Sequence, residues 1–196
     1  MANSPVDYPV NFSIDYPDRA LNKLTTFFRI FTVIPIGIIL ALLVESSSTA
    51  IVILPLILML LFRKKYPRWW FDWNMALTRF SLRVTAYYSL LDDVYPSTDE
   101  EQSVHLEIPY PDAANELSRG LPLVKWFLVI PHLIVLYFLG IAAGFCIIIA
   151  WFAILFTGRY PKAFFSFVVG VLRWGLRVGA YAFLLTTDKY PPFSLD

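Results

Sequence analysis

The fold is decided by a stretch that occurs twice, first as Arg79-Phe-Ser-Leu-Arg-Val-Thr-Ala-Tyr87 and, 94 residues later, as Arg173-Trp-Gly-Leu-Arg-Val-Gly-Ala-Tyr181. In each copy two arginines are four positions apart, so in a helix both guanidinium groups lie on the same face. A match of this length at a fixed offset is typical of a duplicated unit. The sequence therefore predicts a chain built from two copies of one unit.

The duplication extends outward from this stretch in both directions. The dipeptide Tyr66-Pro67 recurs as Tyr160-Pro161, and each copy closes with Asp-x-Tyr-Pro. Upstream, the alternating segment Val10-x-Phe12-x-Ile14 recurs as Val104-x-Leu106-x-Ile108. So many matches in the same order indicate that the whole unit is duplicated.

Composition places this duplicated chain in a membrane. Of 196 residues, 58% are hydrophobic and only 16% are charged, whereas an average soluble protein carries about 25% charged residues. The mean hydropathy is +0.60 and the net charge is +1, which excludes a basic nucleic-acid-binding protein and an acidic disordered chain. The single cysteine, Cys146, lies in an apolar run, so neither a disulfide framework nor a cysteine metal site is expected.

Each unit has the same predicted order of elements. A short strand-like arm comes first, then an apolar helical hairpin, then a long helix that carries the two arginines. The arm is either a half-buried strand that pairs with the other arm or an extended segment on the membrane surface. The predicted bounds are 1–98 for the first unit, with its hairpin at 24–62 and its long helix at 69–91, and 99–196 for the second, with its hairpin at 121–156 and its long helix at 164–185.

The distribution of basic residues suggests how these units lie in the membrane. If the long helices crossed the bilayer, the second unit would be inverted and several of its basic residues would lie outside. If the long helices lie in the interface, only the hairpin tips, 45–49 and 140–144, face outward, and these lack lysine and arginine, as the positive-inside rule prefers. We therefore expect a multi-pass protein of the cytoplasmic membrane with two parallel hairpins and both termini in the cytoplasm.

The expected fold class is thus an all-α integral membrane protein, a tandem repeat of a helical hairpin plus a long interfacial amphipathic helix, with short strand-like arms. The polar stripe on each long helix supports the interfacial placement, although a spanning helix buried in a bundle shows the same stripe.

The arginine pairs are the candidate functional residues. Arginine offers planar, paired donors that suit phosphate or carboxylate, and an intramembrane charge without a partner is costly. The sequence therefore predicts that these arginines bind lipid headgroups or a membrane-protein partner; the alternative is that they snorkel to the interface or pair with nearby aspartates. The predicted residues are Arg79, Arg83, Arg173 and Arg177.

The sequence gives no sign of catalysis. Nucleophile motifs, glycine-rich phosphate loops and nucleotide fingerprints are absent, and His105 and His132 lack ligand spacing, so we expect no enzyme activity, no cofactor and no metal. The predicted role is a non-catalytic accessory or scaffolding subunit that contacts lipids and a membrane partner or a second copy, with no nucleic acid. The alternatives are a small transporter or channel for an anion or lipid, and a lipid enzyme using Asp92, Asp93 and His105.

The stretch from Arg159 to Leu195, which contains Arg159-Tyr-Pro-Lys and Asp188-Lys-Tyr-Pro-Pro-Phe, resembles a bacterial family known as domain of unknown function 4389. The internal duplication extends this resemblance to the first unit, where Trp69-Trp-Phe-Asp-Trp-Asn74 departs from the second copy. The resemblance implies a bacterial integral membrane protein that holds two tandem copies of the domain. It implies no catalytic residues.

Overall fold

The computed structural model describes residues 8–47, 50–100 and 102–196, and within them the chain is mostly helical with one small sheet. Both units begin with a strand and continue with helices. The first unit contains β1 (Asn11–Ile14), α1 (Lys23–Phe27), α2 (Arg29–Ser47), α3 (Ala50–Leu58), which continues as a π-helical turn (Met59–Arg63), and α4 (Arg68–Tyr88). The second contains β2 (Val104–Glu107), α5 (Leu121–Leu128), α6 (Ile130–Thr157) and α7 (Lys162–Ala182).

The two strands form an antiparallel pair, which confirms the first of the two expectations for the arms. Phe12 lies opposite Leu106, Asn11 opposite Glu107, and Ser13 opposite His105. Buried and exposed residues alternate along both strands, so one face of the sheet covers the core while the polar face is exposed.

This register relates the two units by local symmetry. Phe12 and Leu106 are equivalent positions of the duplication, and they pair with each other. The pair Asn11–Glu107 is likewise the counterpart of the pair Ser13–His105. A two-fold axis perpendicular to the sheet therefore passes between Phe12 and Leu106.

The arms cross between the units. The strand β2 packs on α4 of the first unit, and β1 packs on α7 of the second. Hydrogen bonds repeat the exchange, because Tyr16 Oη donates to the Tyr160 carbonyl (2.6 Å) and Tyr110 Oη donates to the Tyr66 carbonyl (2.5 Å). Each arm thus completes the packing of the other unit, and a single core cluster joins residues of both units.

Within each unit the long helix packs antiparallel on an earlier helix, α4 on α2 and α7 on α6. Ile36 of α2 packs on Phe80 and Val84 of α4, and Val129, just before α6, packs on Val178 and Ala182 of α7. The helices α4 and α7 match the predicted long helices 69–91 and 164–185, but each ends three residues early.

The early ends have a local cause in the backbone. Leu90 and Leu185, at equivalent positions, adopt φ values of 63° and 57°, and this left-handed conformation turns the chain off the helix. Lys64 and Gly158 form a second equivalent pair, with φ values of 47° and 73°, at the ends of the preceding helices. Only Gly158 carries the residue type that usually marks such a turn.

The predicted hairpin at 121–156 is wrong. The helix α6 runs without interruption from Ile130 to Thr157, through the tip expected at 140–144. Its two glycines lie among strongly apolar residues, and an isolated glycine costs a helix only about 1 kcal/mol, so nothing forces a turn there. The chain bends instead at Val129, before Pro131, which lies in the first turn of α6. Of the tip expected at 45–49, residues 48 and 49 lie outside the described residues.

Two helices in the described part of the chain, α6 and α7, are long and apolar enough to cross a membrane. They differ in how far the protein itself covers them. Over its most apolar stretch, 11% of α6 is buried, against 50% of α7. Most of α6 therefore presents apolar side chains to its surroundings.

Candidate functional site

The four arginines predicted to bind headgroups instead contact the backbone of the arms and of the segments that follow the long helices. In the first unit, Arg79 on α4 donates from Nε and Nη2 to the Leu106 carbonyl of β2 (3.3 and 3.1 Å). Arg83, one turn later, donates to the Ser97 carbonyl (3.0 Å). The helix therefore holds the arm of the other unit and its own following segment.

The second unit repeats these contacts. Arg173 on α7 donates from Nε to the Phe12 carbonyl of β1 (3.1 Å) and from Nη1 to the Leu195 carbonyl (3.0 Å). Arg177 donates to the Ser194 carbonyl (3.5 Å). Leu106 and Phe12 are the symmetry-paired residues of the sheet, so the two arginines Arg79 and Arg173 fasten the strands at the two-fold axis.

These contacts account for only some of the guanidinium donors. Arg83 and Arg177 are 7% and 4% exposed, and the Nε of each is buried without a hydrogen-bond partner. Arg79 is exposed and Arg173 partly buried. The binding of a headgroup by the remaining donors stays a prediction, while the holding of the arms is what the geometry supports directly.

The sequence analysis missed a second pair of cationic sites. Arg29, at the start of α2, and Lys125, on α5, each lie against the end of the long helix of their unit. Arg29, 2% exposed, lies with its guanidinium carbon 3.9 Å from the centre of the Tyr87 ring. Its Nη1 donates to the carbonyls of Tyr87 (3.1 Å) and Asp92 (2.7 Å). Such a cation over an aromatic face is stabilising, more so when it is removed from water.

The counterpart in the second unit uses lysine. Lys125, fully buried, lies 4.8 Å from the centre of the Tyr181 ring. Its Nζ donates to the Thr187 carbonyl (2.7 Å) and forms an ion pair with Asp188 (2.8 Å). Burial lowers the pKa of Lys125, and the Asp188 carboxylate opposes that shift. The sequence offered one signal, since Arg29 and Lys125 stand at the same distance before Pro35 and Pro131.

An aspartate near each cation accepts a backbone N–H from the segment that leads into the first helix of its unit. The carboxylate of Asp93 accepts the backbone N–H of Asn22 (3.0 Å), and that of Asp188 accepts the backbone N–H of Ser118 (2.5 Å). Asp93 is also paired with Arg19. Burial raises the pKa of Asp93, but the hydrogen bonds from Arg19 and Asn22 outweigh it and hold that pKa below its usual value.

Comparison with known families accounts for this two-fold pattern. The model of the family described as Domain of unknown function (DUF4389) matches residues 23–98 and again residues 122–194. The chain belongs to this family. It holds two tandem copies of the domain, each of which includes one cation site and one arginine pair, whereas β1 and β2 lie outside the matched ranges. No curated protein and no solved structure matches the chain.

The residues considered for a lipid enzyme are engaged by other side chains in this DUF4389 protein, and Asp92 and Asp93 share Arg19. His105 is 3.0 Å from Asp15, Asp93 is paired with Arg19, and Asp92 accepts a hydrogen bond from Ser103 (2.5 Å). Among the described residues, groups of three or more histidine, cysteine or acidic side chains able to hold a metal ion are absent.

The sequence contains Gly140-x-x-x-Gly144 and Gly175-x-x-x-Gly179, a spacing that permits close helix approach, as between copies of the chain, and in the structure these glycines face open space. A Cβ added at Gly140 or Gly144 of α6, or at Gly175 or Gly179 of α7, would meet nothing within 4 Å. These glycines therefore do not serve close packing inside one DUF4389 chain, and their use between copies stays a prediction.

Proposed function

We propose that this protein is a non-catalytic accessory or scaffolding subunit of the bacterial cytoplasmic membrane, which sits in the cytoplasmic leaflet with its helices lying along the bilayer. The proposal rests on one observation. The sheet of β1 and β2 exposes a polar face, whereas the helices, α6 above all, expose an apolar face. The multi-pass crossing expected from the sequence is replaced in this proposal by an arrangement in the plane of the membrane.

The apolar surface supports embedding in lipid. Large hydrophobic side chains are exposed along the whole of α6, with Phe138 at 64%, Phe145 at 63% and Phe156 at 79% exposed. A soluble monomer rarely exposes contiguous apolar patches beyond a few hundred Å². A surface of this kind is typical of contact with lipid or with another membrane protein.

The sheet supports the in-plane orientation. Arg79 and Arg173 lie near the middle of α4 and α7, and their contacts place β1 and β2 over those midpoints. If α4 and α7 crossed the bilayer, the exposed face of the sheet, with His105 and Glu107, would lie at the depth of the hydrocarbon. Backbone edges and charged side chains are not stable there. With the sheet in water, the two-fold axis stands along the membrane normal.

The charge distribution agrees with this orientation. With the axis along the normal, both units face the same way, so we expect equivalent basic residues of the two units to lie on the same side of the membrane. That side is the cytoplasmic one by the positive-inside rule. Tyr8 and Leu195, near the two ends of the chain, pack on the sheet side of α7, because Tyr8 donates to the Arg177 carbonyl and Leu195 accepts from Arg173.

Cysteine accessibility in intact cells tests the proposal. Single cysteines replace Ser47, Ser97, Ala142 and Ser194 in a Cys146→Ser background, and a membrane-impermeant maleimide is applied from either side. We expect labelling at Ser97 and Ser194 only from the cytoplasm, and no labelling at Ser47 or Ala142 from outside. Labelling of every site in denaturant serves as the control for reactivity.

Two outcomes contradict the proposal. Labelling of Ala142 or Ser47 from outside means that helices cross the bilayer. Anion flux in proteoliposomes containing the purified protein means transport, the alternative suggested by the duplication and the arginine pairs.

A further inference from the structure

An apolar groove lies between the two units, beside the cation site of the first. It has a volume of about 340 Å³, within the range of about 300–1,000 Å³ in which proteins hold small ligands. One wall comes from α6, and the other from the region around Arg29. The residues lining it are Arg29, Ile30, Tyr88, Leu90, Ile147, Ile148, Trp151 and Phe152.

Among the described residues Arg29 is the only cation that lines this groove, and two of its nitrogen atoms have no hydrogen-bond partner. Nη1 makes both backbone hydrogen bonds, whereas Nε and Nη2 are buried without a partner. A buried donor left without a partner costs about 1–3 kcal/mol, and more when the group is charged. The site therefore lacks an acceptor.

The neighbouring carboxylates do not supply that acceptor. Asp93 is engaged by Arg19 and Asn22, and Asp92 by Arg19 and Ser103. Burial lowers the pKa of Arg29, and the charges of nearby Asp93 and Asp92 oppose that shift. The direct contacts of Arg29 are nevertheless with neutral groups, the Tyr87 ring and two carbonyl oxygens. An acceptor that carries negative charge is the natural complement of its two free donors, because arginine binds oxyanions through paired N–H groups.

The equivalent place in the second unit is occupied differently. There Lys125 replaces Arg29 and is engaged by the Thr187 carbonyl and the Asp188 carboxylate. Trp126 stands where the first unit has Ile30, and its indole donates to the Ala182 carbonyl (2.9 Å). A larger side chain and a satisfied cation thus occupy the equivalent place.

We infer that this groove binds one acidic phospholipid of the surrounding leaflet, with an acyl chain along Ile147, Ile148 and Phe152 and a phosphate oxygen accepting from Nε and Nη2 of Arg29. The inference rests on the proposed membrane location and adds a specific lipid site to it. An acidic phospholipid carries both groups in one molecule. Its phosphate oxyanion matches the Arg29 end of the groove, and its hydrocarbon chain matches the apolar wall.

Native mass spectrometry of the detergent-purified full chain tests the inference. The probes are dioleoylphosphatidylglycerol, dioleoylphosphatidylcholine and oleate. We expect one phosphatidylglycerol per chain, retained at collision energies that remove phosphatidylcholine. Arg29→Lys, which installs the residue of the second unit, should weaken phosphatidylglycerol binding about tenfold, because a point charge replaces the paired donors.

Matched variants separate the groove from general effects. Ile30→Trp fills the groove and should also remove the bound lipid, whereas Ile34→Trp, on an exposed face of α2, should not. Arg159→Lys, at an exposed arginine outside the groove, should bind lipid as the wild type does. Thermal unfolding of each variant checks that its fold is intact.

Three results overturn the inference. The first is equal phosphatidylglycerol binding by the wild type, Arg29→Lys and Ile30→Trp. The second is retention of phosphatidylcholine as strong as that of phosphatidylglycerol, and the third is retention of oleate in place of phospholipid. Carbonate extraction of membranes separates this failure from failure of the proposed function. A protein that stays in the membrane but binds no lipid contradicts only the lipid site in the groove.

Discussion

The two cation sites occupy matching places in the two units, yet their partners differ. Lys125 is fully buried and meets a carboxylate, a carbonyl and an aromatic ring. Arg29 is nearly as buried but meets carbonyls and a ring without a carboxylate in contact, and two of its donors are unused. The two units therefore keep a buried cation at the same position but differ in the groups that contact it. Lys125 is paired with a carboxylate, whereas Arg29 has two donors without a partner.

The largest expected difference between the sites comes from removing their aspartates. Asp188→Asn leaves Lys125 as a buried charge without its carboxylate, which should lower the free energy of unfolding by about 3–5 kcal/mol. Asp93→Asn should cost about 1–2 kcal/mol, because its cationic partner Arg19 has an exposed side chain. Denaturant unfolding in dodecyl maltoside micelles measures both.

The exposed pair of Arg68 and Asp72 provides the control for that experiment. Asp72→Asn should change stability by at most about 0.5 kcal/mol, since both side chains are more than half exposed. Equal losses for Asp188→Asn and Asp93→Asn would show that the two sites are equivalent after all.

The two units can also be compared at the sheet, where Arg79 and Arg173 hold the strands. Arg173→Gln loses hydrogen bonds to Phe12 and Leu195, whereas Arg79→Gln loses contacts to Leu106 alone. Charge-assisted bonds contribute about 1.5–3 kcal/mol each when buried, and less where solvent reaches the arginine. We therefore expect a loss of about 2–3 kcal/mol in all for Arg173→Gln, at a half-buried arginine, and less for Arg79→Gln, at an exposed one. Faster amide hydrogen exchange in β1 for the first variant and in β2 for the second would support the crossed assignment.

The next effect on stability is expected at Gly170, which lies against Leu195 of the C-terminal segment. A Cβ at Gly170 would lie 2.9 Å from the Leu195 carbonyl oxygen and 3.0 Å from the Leu195 Cβ, so Gly170→Ala should displace the C-terminal segment and cost about 1–2 kcal/mol. The equivalent residue, Ala76, is exposed and already has a Cβ. Ala76→Gly should cost only the helix propensity of about 1 kcal/mol. Proteolysis near the C-terminus should increase for Gly170→Ala and not for Ala76→Gly.

The smallest effect is the pH dependence that Asp93 contributes in the first unit. Because the pKa of Asp93 is lowered on folding, its contribution is complete above the unfolded value near 3.8 and is lost as pH falls through the folded value. We expect less than about 1 kcal/mol, because Arg19 is exposed to solvent. The acid-induced loss should be smaller in Asp93→Asn than in the wild type when unfolding is followed from pH 6 to pH 3, and an identical loss in both would contradict the assignment.

The sequence predicted the elements that depend on pattern. The alternation around Phe12 and Leu106 indicated strands, and the apolar runs before Arg79 and Arg173 indicated the long helices. What it did not predict is how elements from different units meet. The four arginines were expected to reach out of the protein, but they hydrogen-bond to carbonyls of the arms and of the segments after the long helices, and no local pattern encodes such distant contacts.

The errors in element bounds also have physical reasons. Left-handed turns usually carry glycine, and leucine at positions 90 and 185 gave no such signal. Conversely, Gly140 and Gly144 were read as a turn, although apolar neighbours on both sides favour continued helix. Arg29 and Lys125 were overlooked because a single basic residue near a helix start usually lies in solvent.

The crossed arms bear on the ancestry of the chain. An ancestor with one such unit would have its strand without a partner, and the first arginine of its pair would lack the strand carbonyl of the other unit; such an unpaired edge favours association with an identical chain. Two copies related by a two-fold axis, as the pairing of Phe12 with Leu106 relates them here, reproduce the geometry of a homodimer. Gene fusion of such a dimer would tie both halves into one polypeptide and leave each free to change alone, as the replacement of Arg29 by Lys125 at the matching position illustrates.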